Sequence, residues 1–142
     1  MTQIIRDMLE ISRCGVQYRA DNLVQFGLKS IHASYLTEIC AHPGISQDRL
    51  ARSLCINKSN VARQVAVLDE DGFLRRIPSE ADKRVMELYP TDKTLQILPQ
   101  ITGMLTCWEN CITQDLTEEE KACLSTLLGK MSRRAARYME DR

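Results

Sequence analysis

Apolar residues recur at spacings of three and four along most of the chain, which is the pattern of amphipathic helices. The first of these stretches has a broad apolar face. The second ends at the segment HPG, where proline removes an amide donor and glycine allows a turn. The helical stretches cover residues 3–23, 28–41, 46–54, 57–71, 91–112 and the segment from 117 onward.

Two adjacent stretches have the dimensions of a helix-turn-helix. Ser46 can cap the first helix and Asn57 the second, because their side-chain oxygens accept hydrogen bonds from the free amides at a helix start. Gly72 follows the second helix and can end it. Only residues 55–57 separate the two helices, so the sequence predicts a helix-turn-helix.

The apolar period changes between residues 73 and 90. "FLRRIP" at 73–78 and "VMELYP" at 85–90 predict two short strands, and the charged loop "SEADKR" between them predicts a hairpin with a long tip. We expect this hairpin to lie beside the helix pair as a wing. The predicted fold class is therefore mainly α, with a three-helix lobe, a β-hairpin wing and long helices at both ends.

Two long helices are predicted after the hairpin. Pro99 lies inside the first and should kink or split it, because its ring blocks one backbone hydrogen bond. Thr117 and Glu120 form a capping box at the start of the second. We expect that helix to bury Leu124, Leu127, Leu128, Met131, Ala135 and Tyr138.

The first helix and both C-terminal helices carry more apolar surface than a small winged lobe can cover. Pairing with a second copy of the chain is an economical way to bury such surface. The pattern therefore predicts a homodimer.

Charge is balanced overall but clustered locally. Lysine plus arginine and aspartate plus glutamate number 19 each, so the net charge neither favours nor excludes a nucleic-acid partner. Residues 49–68 contain four basic residues and no acidic one. The hairpin adds Arg75 and Arg76 in its first strand and Lys83 and Arg84 at its tip.

The second helix of the pair has one apolar and one polar side. At about 100° per residue, its polar set faces away from its apolar residues. That set has Ser59, Asn60 and Arg63 at its centre, flanked by Lys58 and Gln64. Such side chains read base edges in a major groove and contact phosphates. A solvated helix face is the alternative, but a helix in the major groove with a wing at the adjacent minor groove explains both basic clusters together.

The segment "PGISQDRLARSLCINKSNVARQVAVLDEDGFLRRIPSEADKRVMELYPT" resembles the winged helix-turn-helix core of the multiple antibiotic resistance regulator (MarR) family of bacterial transcription factors. The family's G-x-x-x-R and D-x-R wing patterns are matched by Gly72, Arg76, Asp82, Lys83 and Arg84. The resemblance implies that Arg84 enters the minor groove and that Asp82 braces the wing through an arginine.

The resemblance also implies a domain organisation and a function. It implies a single domain over 1–142, with a DNA-binding lobe at about 28–90 and dimerisation helices at 1–25 and 91–142. A two-fold dimer predicts a pseudo-palindromic operator in double-stranded DNA, with half-sites about one helical turn apart. The expected function is a homodimeric repressor that a small-molecule effector releases.

An effector pocket is suggested by analogy with the family. His32 lies at the start of the second helix, near where the family places an effector crevice. With Arg19, Tyr35 and Trp108 it would receive an aromatic or anionic small molecule.

Six scattered cysteines fit reduced thiols, and no disulfide is expected. Cys107 and Cys111 share a helix face, where they could ligate a soft metal or sense oxidants. We expect them instead to be small buried hydrophobic residues. Cys40 and His42 are too loosely spaced for a zinc site, and His42 fits a helix end.

Cys14, with Tyr18, is superficially similar to the peroxide-sensing branch of the family. However, Cys14 falls late in the first helix, whereas the sensing cysteine of that branch lies near the helix start. A thiol- or metal-responsive regulator on the same scaffold is therefore kept as an alternative function.

Other functional classes find little support. The chain has no glycine-rich phosphate loop, nucleophile elbow or H-E-x-x-H motif, so we expect no enzyme, cofactor or metal. No apolar run approaches the roughly 20 residues of a membrane span, and the N-terminus lacks a signal core, which predicts a cytoplasmic protein. A winged-helix module that binds protein rather than DNA is the remaining alternative.

Overall fold

The structure is a computed structural model that describes residues 1–142. It forms two compact units, Met1–Trp108 and Glu109–Arg142, whose boundary falls within one helix. The elements in chain order are α1 (Gln3–Leu23), a 3-10 helix (Val24–Phe26), α2 (His32–Ala41), β1 (Ile45–Ser46), α3 (Gln47–Leu54), α4 (Lys58–Glu70), β2 (Leu74–Pro78), β3 (Met86–Pro90), α5 (Asp92–Ile112) and α6 (Glu118–Glu140). The mainly helical fold class with a small sheet is confirmed.

The helix-turn-helix consists of α3 and α4. The Ser46 hydroxyl caps α3 by accepting from the Arg49 amide at 3.2 Å, and Asn57 Oδ1 caps α4 by accepting from the Asn60 amide at 2.8 Å. Gly72 follows α4 with a φ of 82°, a left-handed conformation that favours glycine. The predicted caps and helix end are confirmed.

One predicted boundary of the helices is wrong. The second helix begins at His32 rather than at residue 28, because the chain first turns at Gly27, whose φ is 73°. The Leu28 amide bonds back to the Leu23 carbonyl at 3.3 Å, which holds this turn against the end of α1. Pro99 lies inside α5 without splitting it, since a proline removes only one of the many hydrogen bonds of a 21-residue helix. Of the two predicted effects of Pro99, the split is wrong and the kink stays a prediction.

The wing is the hairpin of β2 and β3, which pair antiparallel with Arg76 opposite Leu88. A third strand, β1, pairs with β3 through Ile45 opposite Leu88, so the sheet order is β1-β3-β2. The sequence did not predict β1, because two residues are too few to display a period. Its pairing ties the wing to the segment just before α3.

The core of the N-terminal unit lies between the helix-turn-helix, α2 and the sheet. It is built from residues of each of these elements, including Tyr35, Leu36, Ile39, Leu50, Val61, Val65, Leu68, Leu74 and Leu88. Three of these residues, Val61, Val65 and Leu68, are 0% exposed and fix the inner side of α4. The predicted apolar side of that helix is confirmed.

The end of α4 is tied to the start of α5 by side chains of α5 and the residue before it. Three successive carbonyls accept these bonds: Asp71 from Lys93 Nζ at 2.8 Å, Gly72 from the Thr91 hydroxyl at 2.6 Å, and Phe73 from the Thr94 hydroxyl at 2.5 Å. Lys93 Nζ also lies 4.2 Å from the centre of the Phe73 ring, a cation–π contact. The junction thus holds α4 and α5 at a defined angle.

The apolar stripe of α1 is exposed in the single chain. Ile4, Met8, Leu9 and Ile11 are all between 43% and 64% exposed. Only Gly15 and Leu23 of this helix are buried.

The unit Glu109–Arg142 holds the last turn of α5, a turn and α6. The capping box is confirmed: Thr117 and Glu120 exchange hydrogen bonds at 3.1 and 3.2 Å. The burial predicted for α6 is wrong for the single chain, because its apolar stripe has no covering side chains and is exposed at Leu124, Leu127, Leu128, Met131, Ala135 and Tyr138.

None of the helices of the protein combines the length and apolar content that a membrane span requires.

Candidate nucleic-acid interface

The outer side of α4 presents polar side chains to solvent. Ser59 and Arg63 are exposed and Asn60 is half-buried, opposite the core residues of the same helix. The buried residues fix the rotation of α4 about its axis. Because each residue advances about 100° around a helix, the polar set must then face away from the core.

Local hydrogen bonds order this surface. Asn57 Oδ1 accepts from the Ser59 hydroxyl at 2.9 Å in addition to the Asn60 amide, and the Arg63 guanidinium donates to Asn60 Oδ1. A guanidinium has five N–H donors, so Arg63 keeps donors for a further partner. The arrangement fits bidentate recognition of a guanine edge.

Gln64 has a different environment from the other predicted contact residues. It is half-buried, and its Oε1 lies 2.8 Å from Nε2 of His32 on α2. The other ring nitrogen of His32 accepts from the Lys29 amide at 3.0 Å. Burial lowers the pKa of His32 below its ordinary value, and the charge of Lys29 adds to this effect, while the Gln64 bond and Asp71 oppose it.

Lys58 at the first turn of α4 lies 3.5 Å from Asp48 of α3, and both side chains are exposed. Exposed pairs of this kind contribute little to stability and exchange partners easily. Lys58 is therefore available to a phosphate that approaches the helix start.

Exposed basic charge is also concentrated at the tip of the wing. Lys83 and Arg84 are exposed, with 90% of the Arg84 side chain accessible. Asp82 accepts from the Arg84 amide and from its Nε and Nη2, each at 3.1 Å. The Arg84 side chain, followed by its amide, holds the pKa of Asp82 below its ordinary value. The carboxylate therefore stays ionised and orients the arginine.

Arg76 connects the wing to α4. Its Nε donates to Asp69 Oδ2 at 2.8 Å, so strand β2 is joined to the helix that carries the polar set. The sequence indicated Arg76 as wing support but did not identify Asp69 as its partner. The signal in the sequence is that an acidic and a basic residue lie seven positions apart on two consecutive predicted elements.

The four predicted pocket residues occur in two groups. His32 and Tyr35 are buried in α2, with 2% and 0% exposure. Arg19 and Trp108 both approach Gly15, where an added Cβ would lie 3.1 Å from Arg19 Nη1 and 3.4 Å from Trp108 Nε1.

Trp108 belongs to an aromatic contact between α1 and α5. Tyr18, which sequence reasoning did not include in the pocket, stacks on Trp108 with ring centres 5.0 Å apart. Its hydroxyl donates to the Met104 carbonyl at 3.0 Å. The two aromatic rings and the Arg19 guanidinium therefore lie near one another.

The burial predicted for Cys107 and Cys111 is wrong, since both are exposed. Their helix positions were assigned correctly, but the apolar period does not reveal which side of α5 faces the core. Cys40 is half-buried, and burial raises the pKa of its thiol. No group of three or more potential metal ligands occurs in the chain.

The fold and this surface together define a winged helix-turn-helix protein, with a polar outer face on α4 and an exposed arginine on the wing. A family model described as "MarR family" matches residues 26–85. The chain is therefore similar to the MarR family of DNA-binding transcriptional regulators.

Individual relatives are similar to the chain over nearly its whole length. The chain is 26% identical to the HTH-type transcriptional regulator YybA of Bacillus subtilis (strain 168), covering 99% of this chain and 93% of the relative. It is similar to a MarR protein from Peptoclostridium difficile DA00132, with a TM-score of 0.96 and 26% identity over 99% and 92% of the two chains. It is also similar to a MarR family regulator from Listeria monocytogenes complexed with 26mer DNA, with a TM-score of 0.93 and 25% identity over 98% and 93%.

Proposed function

We propose that the protein acts as a homodimer that binds a pseudo-palindromic operator and represses transcription until a small-molecule effector releases it. The observation that carries the proposal is the joint exposure of Ser59 and Arg63 on α4 and of Arg84 on the wing. All three project from one lobe whose other elements are tied together by the core. The DNA bound to the Listeria monocytogenes relative supports a duplex as the partner.

In the proposed complex, α4 lies in the major groove. Ser59, Asn60 and Arg63 face the base edges, and Lys58 contacts a phosphate near the helix start. Lys83 and Arg84 then reach the backbone and the adjacent minor groove, where narrow grooves attract arginine. The Arg76–Asp69 pair keeps the wing at a fixed distance from the helix.

The homodimer is supported by the exposed apolar stripes of α1 and α6. Monomeric proteins rarely leave such long contiguous apolar surface in water. For both copies of α4 to enter successive major grooves on one side of a duplex, the dimer must hold them about 34–36 Å apart. The operator is then expected to be pseudo-palindromic. Because the proposed binding partner is chromosomal DNA of a bacterium, we place the protein in the cytoplasm.

For the effector we favour a small aromatic anion near Arg19 and Trp108. The guanidinium can pair with a carboxylate, and the indole offers a stacking surface. His32 is a weaker candidate, because both of its ring nitrogens already have partners. Salicylate-like compounds that change neither DNA affinity nor melting temperature would contradict this part of the proposal.

The proposal is tested by fluorescence anisotropy with duplexes from the intergenic region upstream of the protein's own gene. Arg63→Ala should cost about 1–3 kcal/mol of binding free energy and relax the preference at one base pair. Arg84→Ala should weaken binding more evenly across sequences and reduce the salt dependence. Arg142→Ala, which removes an exposed arginine from the end of the chain, serves as the matched control.

Binding that is unchanged by both Arg63→Ala and Arg84→Ala would show that another surface contacts DNA. A wild-type protein that binds none of these duplexes at low salt would instead favour the protein-interaction alternative. Labelling of the exposed thiols before and after mild oxidation, with DNA binding measured in parallel, separates the proposed repressor from a thiol-responsive one.

A further inference from the structure

Gln64 is the one predicted DNA-contact residue that is bonded to the interior of the protein. It lies on the flank of α4, one helical turn after Asn60 and next to Arg63. Its Oε1 is 2.8 Å from Nε2 of His32, a side chain that is only 2% exposed. The bond joins α2 to α4 across 32 positions of sequence.

The protonation state of His32 follows from its other neighbour. A backbone amide can only donate, so the Lys29 amide at 3.0 Å requires Nδ1 of His32 to be the acceptor. The neutral ring then carries its proton on Nε2. The His32 amide also donates to the Lys29 carbonyl at 3.0 Å, which fixes the ring relative to the start of α2.

This arrangement determines how the Gln64 amide is turned. A ring nitrogen that carries a proton needs an acceptor, so the atom of Gln64 facing His32 must be Oε1. The NH₂ group is left on the other side. It makes no hydrogen bond within the chain, and the only buried side-chain polar atom without a partner is the Tyr35 hydroxyl, so the Gln64 nitrogen reaches solvent.

We propose that His32 is a positioning residue for sequence recognition: it holds Gln64 so that this side chain offers only N–H donors to the base edge it meets. This role rests on the proposed function of α4 as the helix in the major groove. A freely turning glutamine reads adenine by accepting from N6 and donating to N7. Held by His32, Gln64 can only donate, so it suits guanine, whose O6 and N7 both accept, or O4 of thymine, whereas at adenine it would face the N6 amino donor.

The test measures the affinity of the protein for a set of operator duplexes in which each base pair is changed in turn. In the wild type, one position per half-site should prefer guanine or thymine over adenine, whose N6 amino group would face the Gln64 donors. Gln64→Ala should reduce this preference about three- to tenfold, the range that one neutral hydrogen bond supplies. Preferences at the other positions should stay the same.

Two further variants separate positioning from simple support of the fold. Gln64→Glu still accepts from His32 and so keeps the link between α2 and α4, but it has no donors. The Gln64→Glu variant should therefore lose the base preference at that position. Its added negative charge lowers the affinity for every duplex alike, so the ratios of affinities between bases can still be compared. His32→Leu frees the amide and should raise the relative affinity for adenine at that position only. His42→Leu, at the exposed histidine, is the matched control.

The outcomes distinguish this inference from the proposed function. Even weakening by Gln64→Ala at every position, or unchanged base preferences, would overturn the inference while leaving DNA binding by α4 intact. A Gln64→Glu variant that retains the wild-type base preference would also overturn the inference. This test remains available if His32→Leu does not fold. A wild-type protein that binds no duplex would overturn both.

Discussion

At the scale of single residues, Tyr35 stands out because its hydroxyl is buried and has no hydrogen-bond partner, while its ring is 0% exposed. Burying a hydroxyl without a partner costs free energy that the phenylalanine ring would avoid. Tyr35→Phe should therefore leave the free energy of unfolding unchanged or raise it by about 1 kcal/mol in urea titrations.

Tyr18→Phe is the matched control, since that hydroxyl donates to the Met104 carbonyl at 3.0 Å. It should lower the free energy of unfolding by about 1 kcal/mol. Equal destabilisation by the two substitutions would mean that Tyr35 has a partner in solution.

His32 predicts how stability depends on pH. Its neutral form is favoured in the folded protein, because burial disfavours the charge and Nδ1 already accepts from Lys29. In the unfolded chain a histidine takes up a proton near pH 6.5. The unfolded state therefore binds more protons below that pH, and the free energy of unfolding should fall as the pH falls from about 6.5 toward the lower folded pKa.

Urea titrations between pH 7.5 and about 5 measure this slope. His32→Leu should flatten it, whereas His42→Asn, at the other histidine, should retain it. A slope that His32→Leu leaves unchanged would assign the pH dependence to other groups.

At the scale of elements, the junction between α4 and α5 depends on side-chain hydroxyls. Thr94 is 0% exposed and donates to the Phe73 carbonyl at 2.5 Å. Thr94→Val keeps the shape but removes the donor, which should lower the free energy of unfolding by about 1–2 kcal/mol. The control is Thr102→Val on the same helix, an exposed residue that should change stability by less than about 0.5 kcal/mol. If Thr94→Val and Thr102→Val lowered the melting temperature equally, the Thr94 hydrogen bond would have no special role at the junction.

At the scale of the whole molecule, the exposed stripe of α6 predicts self-association. Leu128 is 46% exposed in the single chain, and a charge there would have to be buried in the proposed homodimer. Leu128→Glu should convert dimers to monomers in light scattering at micromolar concentration, because an unpaired buried carboxylate is costly. Its operator affinity should fall in parallel, since one copy holds only one half-site.

Thr126→Glu introduces the same charge about 160° around α6 from Leu128 and is the matched control. It should leave both the mass and the affinity as in the wild type. A wild-type protein that is monomeric at these concentrations would contradict the dimer directly.

Sequence reasoning predicted the elements better than it predicted side-chain partners. The helix-turn-helix, its caps at Ser46 and Asn57, and the wing strands were all predictable, because each signal lies within a few residues of the element that it marks. The strand Ile45–Ser46 was missed because its only cause is pairing with β3, which is distant in sequence.

For the candidate site, the sequence indicated which residues of α4 face outward but not what each one contacts. Gln64 appeared equivalent to Lys58 on the other flank, yet it bonds to His32 of α2. Cys107 and Cys111 appeared suited to a core and are exposed instead.

The sequence by itself determined the order of the helices and strands, the apolar and polar sides of α4, and the resemblance to a family. These follow from backbone geometry, which repeats every two or nearly four residues and is therefore readable along the chain. Only the tertiary structure decided that His32 turns the Gln64 amide, that Arg76 pairs with Asp69, and that the stripes of α1 and α6 stay uncovered in one chain. Those contacts depend on distances between elements, and a linear pattern carries no information about which elements become neighbours.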